Sequence, residues 1–303
     1  MDLIHTIVAM QAAADAARQH PPTSLRSATF LKGRGLRKRL GLVPTMGALH
    51  GGHLALVREA KKQADHVTVS IFVNPTQFAP GEDYEEYPRT LEADMEALES
   101  IGRVDVVFAP SAEEMYPFGL PPFATVSVRD LDKHLCGAFR EGHFEGVTSV
   151  VTRLFLACRP DIAVFGQKDA QQLAILKRMT AELDFGIEII GCPIVREEDG
   201  LAISSRNRYL GSEERRQATV LSQAVRNAFG QVEKGERDVT VLIDTMQQII
   251  ASAPLARLQY AEIVDAENLQ PVKTLRQGRY LAALAVFFGD TRLIDNTTLE
   301  IAQ

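Results

Sequence analysis

Short apolar runs alternate with segments of helical periodicity from residue 40 to about residue 195. Between the runs, apolar residues recur at helical spacing, through Leu54 and Val57 and again through Leu91, Met95 and Leu98. Strands that alternate with amphipathic helices predict an α/β fold, in which a parallel sheet carries helices on both faces. The predicted strands are the apolar runs at 40–43, 66–73, 104–108 and 162–165.

The pattern changes after about residue 195, where a charged stretch that ends in glycine, 195–200, is the expected linker. Helical segments are then followed by hydrophobic strands, which predicts a smaller α+β C-terminal domain. The predicted domains are therefore 1–194 and 195–303. The C-terminal elements are a helix that starts at Ser212 and continues through 220–228, a helix capped by Asp238, and strands at 258–265 and 280–289.

The composition is that of an ordinary globular protein, with 303 residues, of which 46% are hydrophobic and 24% charged. No apolar stretch approaches the ~20 residues that a membrane span needs. The N-terminus lacks the basic start and the cleavage site of a secretory signal. Cys136, Cys158 and Cys192 are odd in number and widely spaced, which predicts reduced, buried thiols rather than a zinc site or disulfides. We therefore expect a cytoplasmic protein without membrane contact.

The charge balance argues against nucleic acid as a partner, since the formal net charge is -6. A basic cluster nevertheless lies in the stretch 18–39. This cluster either contacts phosphate or RNA, or forms a solvated face before the first core strand, and the second interpretation is favoured. The cluster consists of Arg34, Arg37, Lys38 and Arg39.

Three polar segments follow predicted strands of the sheet. They are 44–53, 74–78 and 166–172. Ligands of open parallel sheets bind at the carboxyl ends of the strands, so we expect these segments to converge on one crevice.

The first polar segment contains His50-Gly51-Gly52-His53, between a strand and a helix. A helix N-terminus presents N–H groups and a partial positive charge, which favour phosphate. The two imidazoles can donate hydrogen bonds to phosphate oxygens that gain charge in a transition state. Surface or cap histidines are one alternative. Metal ligands are another, although no third ligand is suitably spaced nearby.

The other two polar segments, together with a loop at 204–208, supply cations, hydroxyls and amides. Lys168 suits a phosphate, whereas Asp169 is equally a helix cap or a ligand. Gln172 is expected on the same helix face as Asp169. The loop Ser204-Ser205-Arg206-Asn207, with Arg208, offers an anion clamp. Gln77 can both donate and accept hydrogen bonds, so it can touch two small substrates.

Two further stretches have less specific signals. Residues 81–90 are a candidate lid. In 139–147, Arg140 or His143 either binds a carboxylate or belongs to a structural loop. Neither stretch by itself indicates a particular reaction.

Six segments, taken together and in order, resemble the pantoate–β-alanine ligase family, also called the pantothenate synthetases. That family belongs to a superfamily of His-x-Gly-His nucleotidyltransferases and adenylate-forming enzymes. The segments are PTMGALHGGH (44–53), FVNPTQF (72–78), YPRT (87–90), FREGHFEGV (139–147), FGQKDAQQL (165–173) and SSRNRYL (204–210).

Because an adenylate must be shielded from water, we expect the smaller C-terminal domain to close over the site. The resemblance implies a Rossmann-like N-terminal domain. It implies ATP-dependent condensation of pantoate with β-alanine, through a pantoyl adenylate, to pantothenate, AMP and pyrophosphate. It also implies Mg2+, whose ligands are not assigned, a cytoplasmic location and a homodimer.

The resemblance further assigns roles to individual residues. It makes His53 the proton-donating catalytic residue. The chemistry of adenylation also needs cations and donors around the phosphates, and the expected groups are His50, Lys168, Ser205 and Arg206. Pantoate is expected on Gln77 and Gln172, and β-alanine on Gln77. The implied ATP contacts are Met46, Gly47, Ala48, Leu49, His50, Gly51, Gly52, His53, Gly166, Gln167, Lys168, Asp169, the backbone of Val195, Ile203, Ser204, Ser205 and Arg206.

Three departures from the family pattern are visible. Gly51 stands where the family usually has Glu, and Ile203 where Met is usual. We expect little effect of either, since both imidazoles remain and the contact at position 203 is mainly backbone or apolar. The stretch 18–39 is longer than usual, and the resemblance implies no role for it.

Two rival function classes remain. A nucleotidyltransferase for phosphorylated acceptors would need basic residues at the acceptor site, whereas Gln77 and Gln172 suit a hydroxy acid. A non-catalytic nucleotide sensor would be favoured by loss of His53, Lys168 or Arg206, and all three are present.

Overall fold

The structure, a computed structural model, describes residues 1–19, 38–79, 81–102 and 104–302. Most of the stretch 18–39, including Arg34 and Arg37, therefore lies outside the described residues. The described chain divides into two compact units. Unit 1 is Met1–Val128, Glu141–Gln167 and Ile175–Pro193, and unit 2 is Arg129–Arg140, Lys168–Ala174 and Ile194–Gln303. The division after residue 194, with a second domain that closes over a site, stays a prediction.

Unit 1 is built on a six-stranded parallel sheet. Its strands are β1 (Asp2–Ile4), β2 (Leu40–Thr45), β3 (His66–Ile71), β4 (Val106–Phe108), β5 (Ile162–Gly166) and β6 (Glu188–Cys192). Their order across the sheet is β1-β4-β3-β2-β5-β6. Strand β2 pairs with β3 on one side and β5 on the other, so the strand order reverses there, which makes it a topological switch point. The predicted Rossmann-like parallel sheet is confirmed.

The apolar strands form a core with the helices that follow them. Val43, Val69 and Ile162 of the sheet are fully buried together with Val57 of a flanking helix. Strands that are covered on both faces are apolar at nearly every position, which explains the continuous runs in the sequence. The helices up to residue 182 are α1 (Ile7–Gln19), α2 (Gly51–Gln63), α3 (Leu91–Ile101), α4 (Ala112–Met115), α5 (His143–Cys158) and α6 (Ala170–Glu182).

Unit 2 contains a three-stranded antiparallel sheet and the helices that pack on it. The helices are α7 (Ser212–Gln217), α8 (Val220–Glu233) and α9 (Val239–Ala251), and the strands are β7 (Ala256–Asp265), β8 (Gly278–Phe288) and β9 (Thr291–Ile301). The core joins Val225 of α8, Leu242 and Met246 of α9, and Leu284 of β8. Asp238 caps α9 as predicted, because its Oδ1 accepts from the Thr240 amide at 2.8 Å. This confirms the predicted α+β unit.

One predicted helix is divided in the structure. The sequence predicts a single helix from Ser212 onwards, whereas α7 ends at Gln217 and α8 begins at Val220. The residues of α7 are polar and lie outside the core, whereas α8 contributes Val225 and its apolar neighbours. The apolar stripe therefore belongs to α8 alone.

The structure also bears on the membrane spans and the cysteines. Among the residues that the structure describes, no helix combines the length and the apolar character that crossing a bilayer requires. Cys136, Cys158 and Cys192 all lie buried with free thiols. Burial raises the pKa of the Cys158 and Cys192 thiols, which makes them weak nucleophiles.

Candidate active site

His50 and His53 lie together at the start of α2. His50 is the N-cap, since its Nδ1 accepts from the Gly52 amide at 3.2 Å and its carbonyl accepts from the Leu54 amide at 3.1 Å. The two imidazole rings stack with centroids 4.0 Å apart and planes inclined by 22°. A Cβ at position 52 would lie 2.9 Å from Cε1 of His50, so glycine lets this ring fold over the helix start.

The cap geometry defines the chemistry of His50. Because Nδ1 accepts a hydrogen bond, the neutral ring carries its proton on Nε2 and can donate from there. The helix start adds its N–H groups and partial positive charge, so the segment has the features of an anion site. The cap interpretation and the phosphate interpretation of His50 are thus compatible. In the described ranges, no group of three or more His, Cys, Asp or Glu side chains is arranged to hold a metal ion.

The loop between β2 and α2 is fixed by a buried carboxylate, Asp94 of α3. Asp94 is 2% exposed. Its Oδ2 accepts from the Ala48 amide at 3.0 Å and its Oδ1 from the Leu49 amide at 2.7 Å. Gly47 and Ala48 both have positive φ, 81° and 49°. The Gly47 amide donates to Oγ1 of Thr45 at 3.2 Å, so both amides of this tight turn are held by side chains. Asp94 thereby sets the path of the chain into His50.

Gln77 lies beside this loop, in a short 3-10 helix (Pro75–Gln77) that follows β3. Its Nε2 contacts the Met46 sulfur at 2.9 Å, and its Oε1 accepts from Nδ2 of Asn74 at 3.2 Å. Its backbone carbonyl accepts from Nδ1 of His143 at 2.7 Å. The structure therefore brings Gln77 against the loop that leads to His50, and the convergence of all three polar segments on one crevice stays a prediction. For His143, the bond to the Gln77 carbonyl favours the structural interpretation.

Asn74 anchors this arrangement, a role that the sequence did not predict. It is 1% exposed, and its Nδ2 also donates to the Gly146 carbonyl at 3.3 Å. Its Oδ1 accepts from the Tyr116 hydroxyl at 2.7 Å and from Oγ1 of Thr76 at 3.0 Å. Burial raises the pKa of Tyr116, so this hydroxyl stays protonated and remains a donor. Asn-Pro pairs are common turn signals, so the sequence indicated a turn at Asn74 and gave no sign of its side-chain hydrogen bonds.

The segment after β5 begins in unit 1 with Gly166 and Gln167 and continues in unit 2 with Lys168. A 3-10 helix, Gln167–Asp169, connects β5 to α6. Lys168 is half-buried, and its Nζ lies 3.9 Å from Oδ1 of Asp169. The Lys168 carbonyl accepts from Nδ2 of Asn296 at 2.8 Å.

Two adjacent glutamines at the start of α6 have different surroundings. Gln171 is buried, and its Nε2 donates to the carbonyls of Leu131 and His134, both at 2.8 Å. Gln172 is half-buried. The side chain of Gln171 is thus committed to the main chain of 129–140, which leaves Gln172 as the better candidate for a ligand contact.

Val195 and Ile203 face each other across a hairpin in unit 2. The Ile203 amide donates to the Val195 carbonyl at 3.0 Å, and the Glu197 amide to the Leu201 carbonyl at 2.8 Å. Since Ile203 takes part through its backbone, exchange of Met for Ile there keeps the hairpin bond. The hairpin leads directly into Ser204.

The predicted anion clamp forms a compact turn after this hairpin. Ser204 caps a 3-10 helix, Ser205–Tyr209, because its Oγ accepts from the Arg206 amide at 3.3 Å. Ser205 is buried and Arg206 is half-buried. Arg208 is exposed and folds back, with Nε donating to the Ser205 carbonyl at 2.9 Å.

The sequence profile of the family described as Pantoate-beta-alanine ligase matches residues 16–298. The chain belongs to the pantoate–β-alanine ligase family. It is 58% identical over 307 aligned residues to a pantothenate synthetase of Salinibacter ruber, which covers 99% of this chain and 98% of that relative. A pantothenate synthetase of Moorella thermoacetica is 50% identical over 301 residues, which covers 99% of both proteins.

Solved structures agree with this family. The crystal structure of pantothenate synthetase from Thermus thermophilus is similar with a TM-score of 0.87 and 41% identity, over 99% of this chain and 100% of that one. The crystal structure of pantoate-beta-alanine ligase from Francisella tularensis, complexed with Beta-gamma ATP and Beta-alanine, has a TM-score of 0.74 and 31% identity, over 98% and 97%. The family and the enzyme class expected from the sequence are confirmed. The roles of individual residues stay predictions.

In this pantoate–β-alanine ligase, replacement of Asp94 by Asn tests whether the carboxylate holds the loop of the candidate site. One oxygen becomes an amide that faces a backbone donor, so a buried N–H loses its partner. We expect the free energy of unfolding in urea to fall by about 1–3 kcal/mol and ATP-dependent turnover to fall about tenfold.

The matched control is Glu92→Gln, an exposed acid on the same helix. It should match the wild type in both measurements. A fully stable and active Asp94→Asn variant would show that the carboxylate does not support the loop.

Proposed function

We propose that this enzyme joins pantoate to β-alanine through a pantoyl adenylate, with ATP converted to AMP and pyrophosphate. The observation that carries the proposal is the arrangement in unit 1. The stacked pair His50 and His53 stands at a helix start, and Gln77 contacts Met46 in the loop that leads there. A group suited to a hydroxy acid therefore contacts the loop that leads to the groups suited to phosphate.

The chemistry explains why both kinds of group are needed. A carboxylate resists attack by an amine, because oxide is a poor leaving group. In the first step, a pantoate carboxylate oxygen attacks the α-phosphorus of ATP, and the bond to pyrophosphate breaks. In the second step, the neutral amine of β-alanine attacks the acyl carbon, AMP leaves, and the amine gives up a proton. The products are pantothenate, AMP and pyrophosphate.

The first step needs donors and cations around developing phosphate charge. We propose that His50 and His53 donate to phosphate oxygens, with His53 the more important. Lys168, Ser205 and Arg206, which belong to unit 2, are proposed to bind phosphate oxygens as well. The remaining residues that the family resemblance assigns to ATP are proposed as ATP contacts, and this proposal rests on the resemblance.

Mg2+ is proposed as part of the substrate, as the MgATP complex. This ion keeps several waters and is usually held by substrate phosphates with one or two carboxylates, rather than by a protein cage. Asp169, beside Lys168, is one carboxylate in a segment proposed to bind ATP. The ion would neutralise charge on the phosphates, while the side chains named above orient the reacting groups.

Pantoate and β-alanine recognition is proposed for Gln77 and Gln172. Gln77→Ala is expected to slow both half-reactions about tenfold, since it loses contacts to both substrates. Gln172→Ala is expected to raise the KM for pantoate by a similar factor, with the KM for β-alanine unchanged. Steady-state kinetics with each substrate varied in turn provides the measurement.

Gln248→Ala, on an exposed position of α9, is the control for these glutamines and should behave as wild type. An unchanged KM for pantoate in Gln172→Ala would assign that residue to the protein surface.

A cytoplasmic location and a homodimer are also proposed, and they rest on the resemblance to the family. The three buried free thiols suit a reducing compartment. Sedimentation equilibrium of the purified protein tests the homodimer by mass.

Formation of AMP and pantothenate from ATP, pantoate and β-alanine tests the function. Both products should form in equal amounts, and omission of any substrate should stop AMP release. A nucleotidyltransferase for phosphorylated acceptors would release pyrophosphate without AMP, and a nucleotide sensor would release neither. Either of these results would refute the proposed reaction.

A further inference from the structure

Two adjacent polar residues of β9, Asp295 and Asn296, are buried in unit 2. They pair with Leu284 and Ala283 of β8, the middle strand of the sheet. Successive side chains of a strand point to opposite faces, so the two residues reach different neighbours. Burial of a carboxylate and an amide costs free energy unless each makes hydrogen bonds or ion pairs. Both residues have such partners in unit 2.

Asp295 holds the hairpin that runs from Val195 to Ile203. Its Oδ2 lies 2.6 Å from Nη1 of Arg196 and its Oδ1 2.9 Å from Nη2, so the guanidinium is bound at both nitrogens. The Asp295 side chain is 1% exposed, and Nη1 of Arg196 also donates to the Gly200 carbonyl at 3.0 Å. The hairpin is therefore attached to the sheet through a planar, directional contact.

The same hairpin is fixed at its charged edge by α7. Arg215 contacts Oε2 of Glu197 and Oδ2 of Asp199, both at 2.7 Å. This contact lowers the pKa of Asp199 below its ordinary value, so the ion pair persists further into the acid range. Nδ2 of Asn207 donates to the Ala202 carbonyl at 3.1 Å, which joins the hairpin to the turn that contains Ser205 and Arg206. The position of that turn thus depends on the hairpin.

Asn296 holds the second segment. Its Nδ2 donates to the Lys168 carbonyl at 2.8 Å, and its own amide donates to Oδ1 of Asp295, also at 2.8 Å. The contact to Lys168 is made at the backbone, so it fixes where the lysine side chain begins and does not involve the ammonium. Adjacent residues of one strand therefore hold both segments.

We infer that Asp295 and Asn296 are positioning residues for ATP in this enzyme. They set the Lys168 segment and the segment 195–206 in one fixed relation within unit 2. The inference rests on the proposed function for the identity of the ligand. Cationic groups on two separate loops bind a polyphosphate well only when their spacing is fixed beforehand, and a strand provides a more rigid base than a loop.

Asn296→Ala is the decisive variant, because it removes the donor to Lys168 and keeps the pair between Asp295 and Arg196. We expect the KM for ATP to rise and pantoate-dependent exchange of pyrophosphate into ATP to fall, each about two- to tenfold. The KM for β-alanine should stay unchanged. Thr298→Ala, an exposed position on the same strand, is the matched control and should behave as wild type.

Asp295→Asn is the second variant, and it should have the larger effect on ATP because it weakens a buried ion pair. Urea unfolding of each variant separates stability from positioning. A lowered unfolding midpoint of Asn296→Ala with an unchanged KM for ATP would mean that Asn296 is merely structural, and the inference would be overturned. If Asp295→Asn fails to fold, Asn296→Ala still decides.

Failure of the proposed function would have a different signature. Wild type and Thr298→Ala would then both lack pantoate-dependent exchange. Calorimetric titration with ATP alone would still test the positioning role. A weaker affinity for ATP in Asn296→Ala than in wild type would support it, and equal affinities would overturn it.

Discussion

Replacement of His53 by alanine is expected to lower kcat by about 10²–10³, the usual cost of losing one preorganised donor to developing charge. The KM for ATP should change much less, because the N–H groups of the first turn of α2 and Lys168 are kept. The physical reason is the position of His53 at a helix start, with its ring stacked on that of His50 at 4.0 Å. Steady-state kinetics with ATP varied measures both parameters.

A matched histidine control exists at the end of β1. His5 is exposed, and its Nδ1 contacts the Ala109 carbonyl at 2.7 Å, so His5→Ala removes an imidazole away from α2. It should leave kcat unchanged. Near-normal turnover in His53→Ala would remove this residue from the mechanism.

The sheet of unit 1 was predictable because its central strands are covered on both faces. Strands β2 and β5 are short, largely apolar runs, and β3 is rich in β-branched residues and buried at its four central positions. The polar segments begin where these strands end. The edge strands gave weaker signals. Strand β1 has only three residues and is mostly exposed, and β6 is exposed or half-buried except at Cys192. Helix α1 is alanine-rich, so its buried stripe of Met10, Ala14 and Ala17 has little contrast with its other face.

The residues that the sequence did not single out are buried polar side chains on otherwise apolar faces of their elements. Asp94 lies three residues after Leu91 and four before Leu98, on the buried stripe of α3. A carboxylate at that spacing was the available signal, since a buried acid needs partners. Strand β9 escaped prediction for a related reason, because Asp295 and Asn296 interrupt its apolar pattern. Their partners are distant in sequence, and no local pattern encodes such contacts.

The stepwise mechanism leads to a second large effect, on exchange of labelled pyrophosphate into ATP. If the adenylate is a true intermediate, its formation does not need the amine. The enzyme should then catalyse exchange with pantoate and Mg2+ but without β-alanine. The groups proposed to bind phosphate, at 46–53, 166–169 and 203–206, can act before any amine arrives. Omission of pantoate should abolish exchange, because no acceptor carboxylate remains.

Arg206→Ala is expected to reduce this exchange by about 10²–10³, since it removes one positive group that is proposed to bind the departing pyrophosphate. The turn that carries Arg206 should persist, because Ser204 caps it by accepting from the backbone amide of residue 206. Arg216→Ala is the matched control, since Arg216 is exposed and pairs with Glu213, and it should exchange like wild type. A sensor would show no exchange at all, and a nucleotidyltransferase would exchange only with its own acceptor. Full pantothenate synthesis without exchange would instead mean a concerted reaction, or pyrophosphate retained until the amine binds, and the stepwise scheme would have to be replaced.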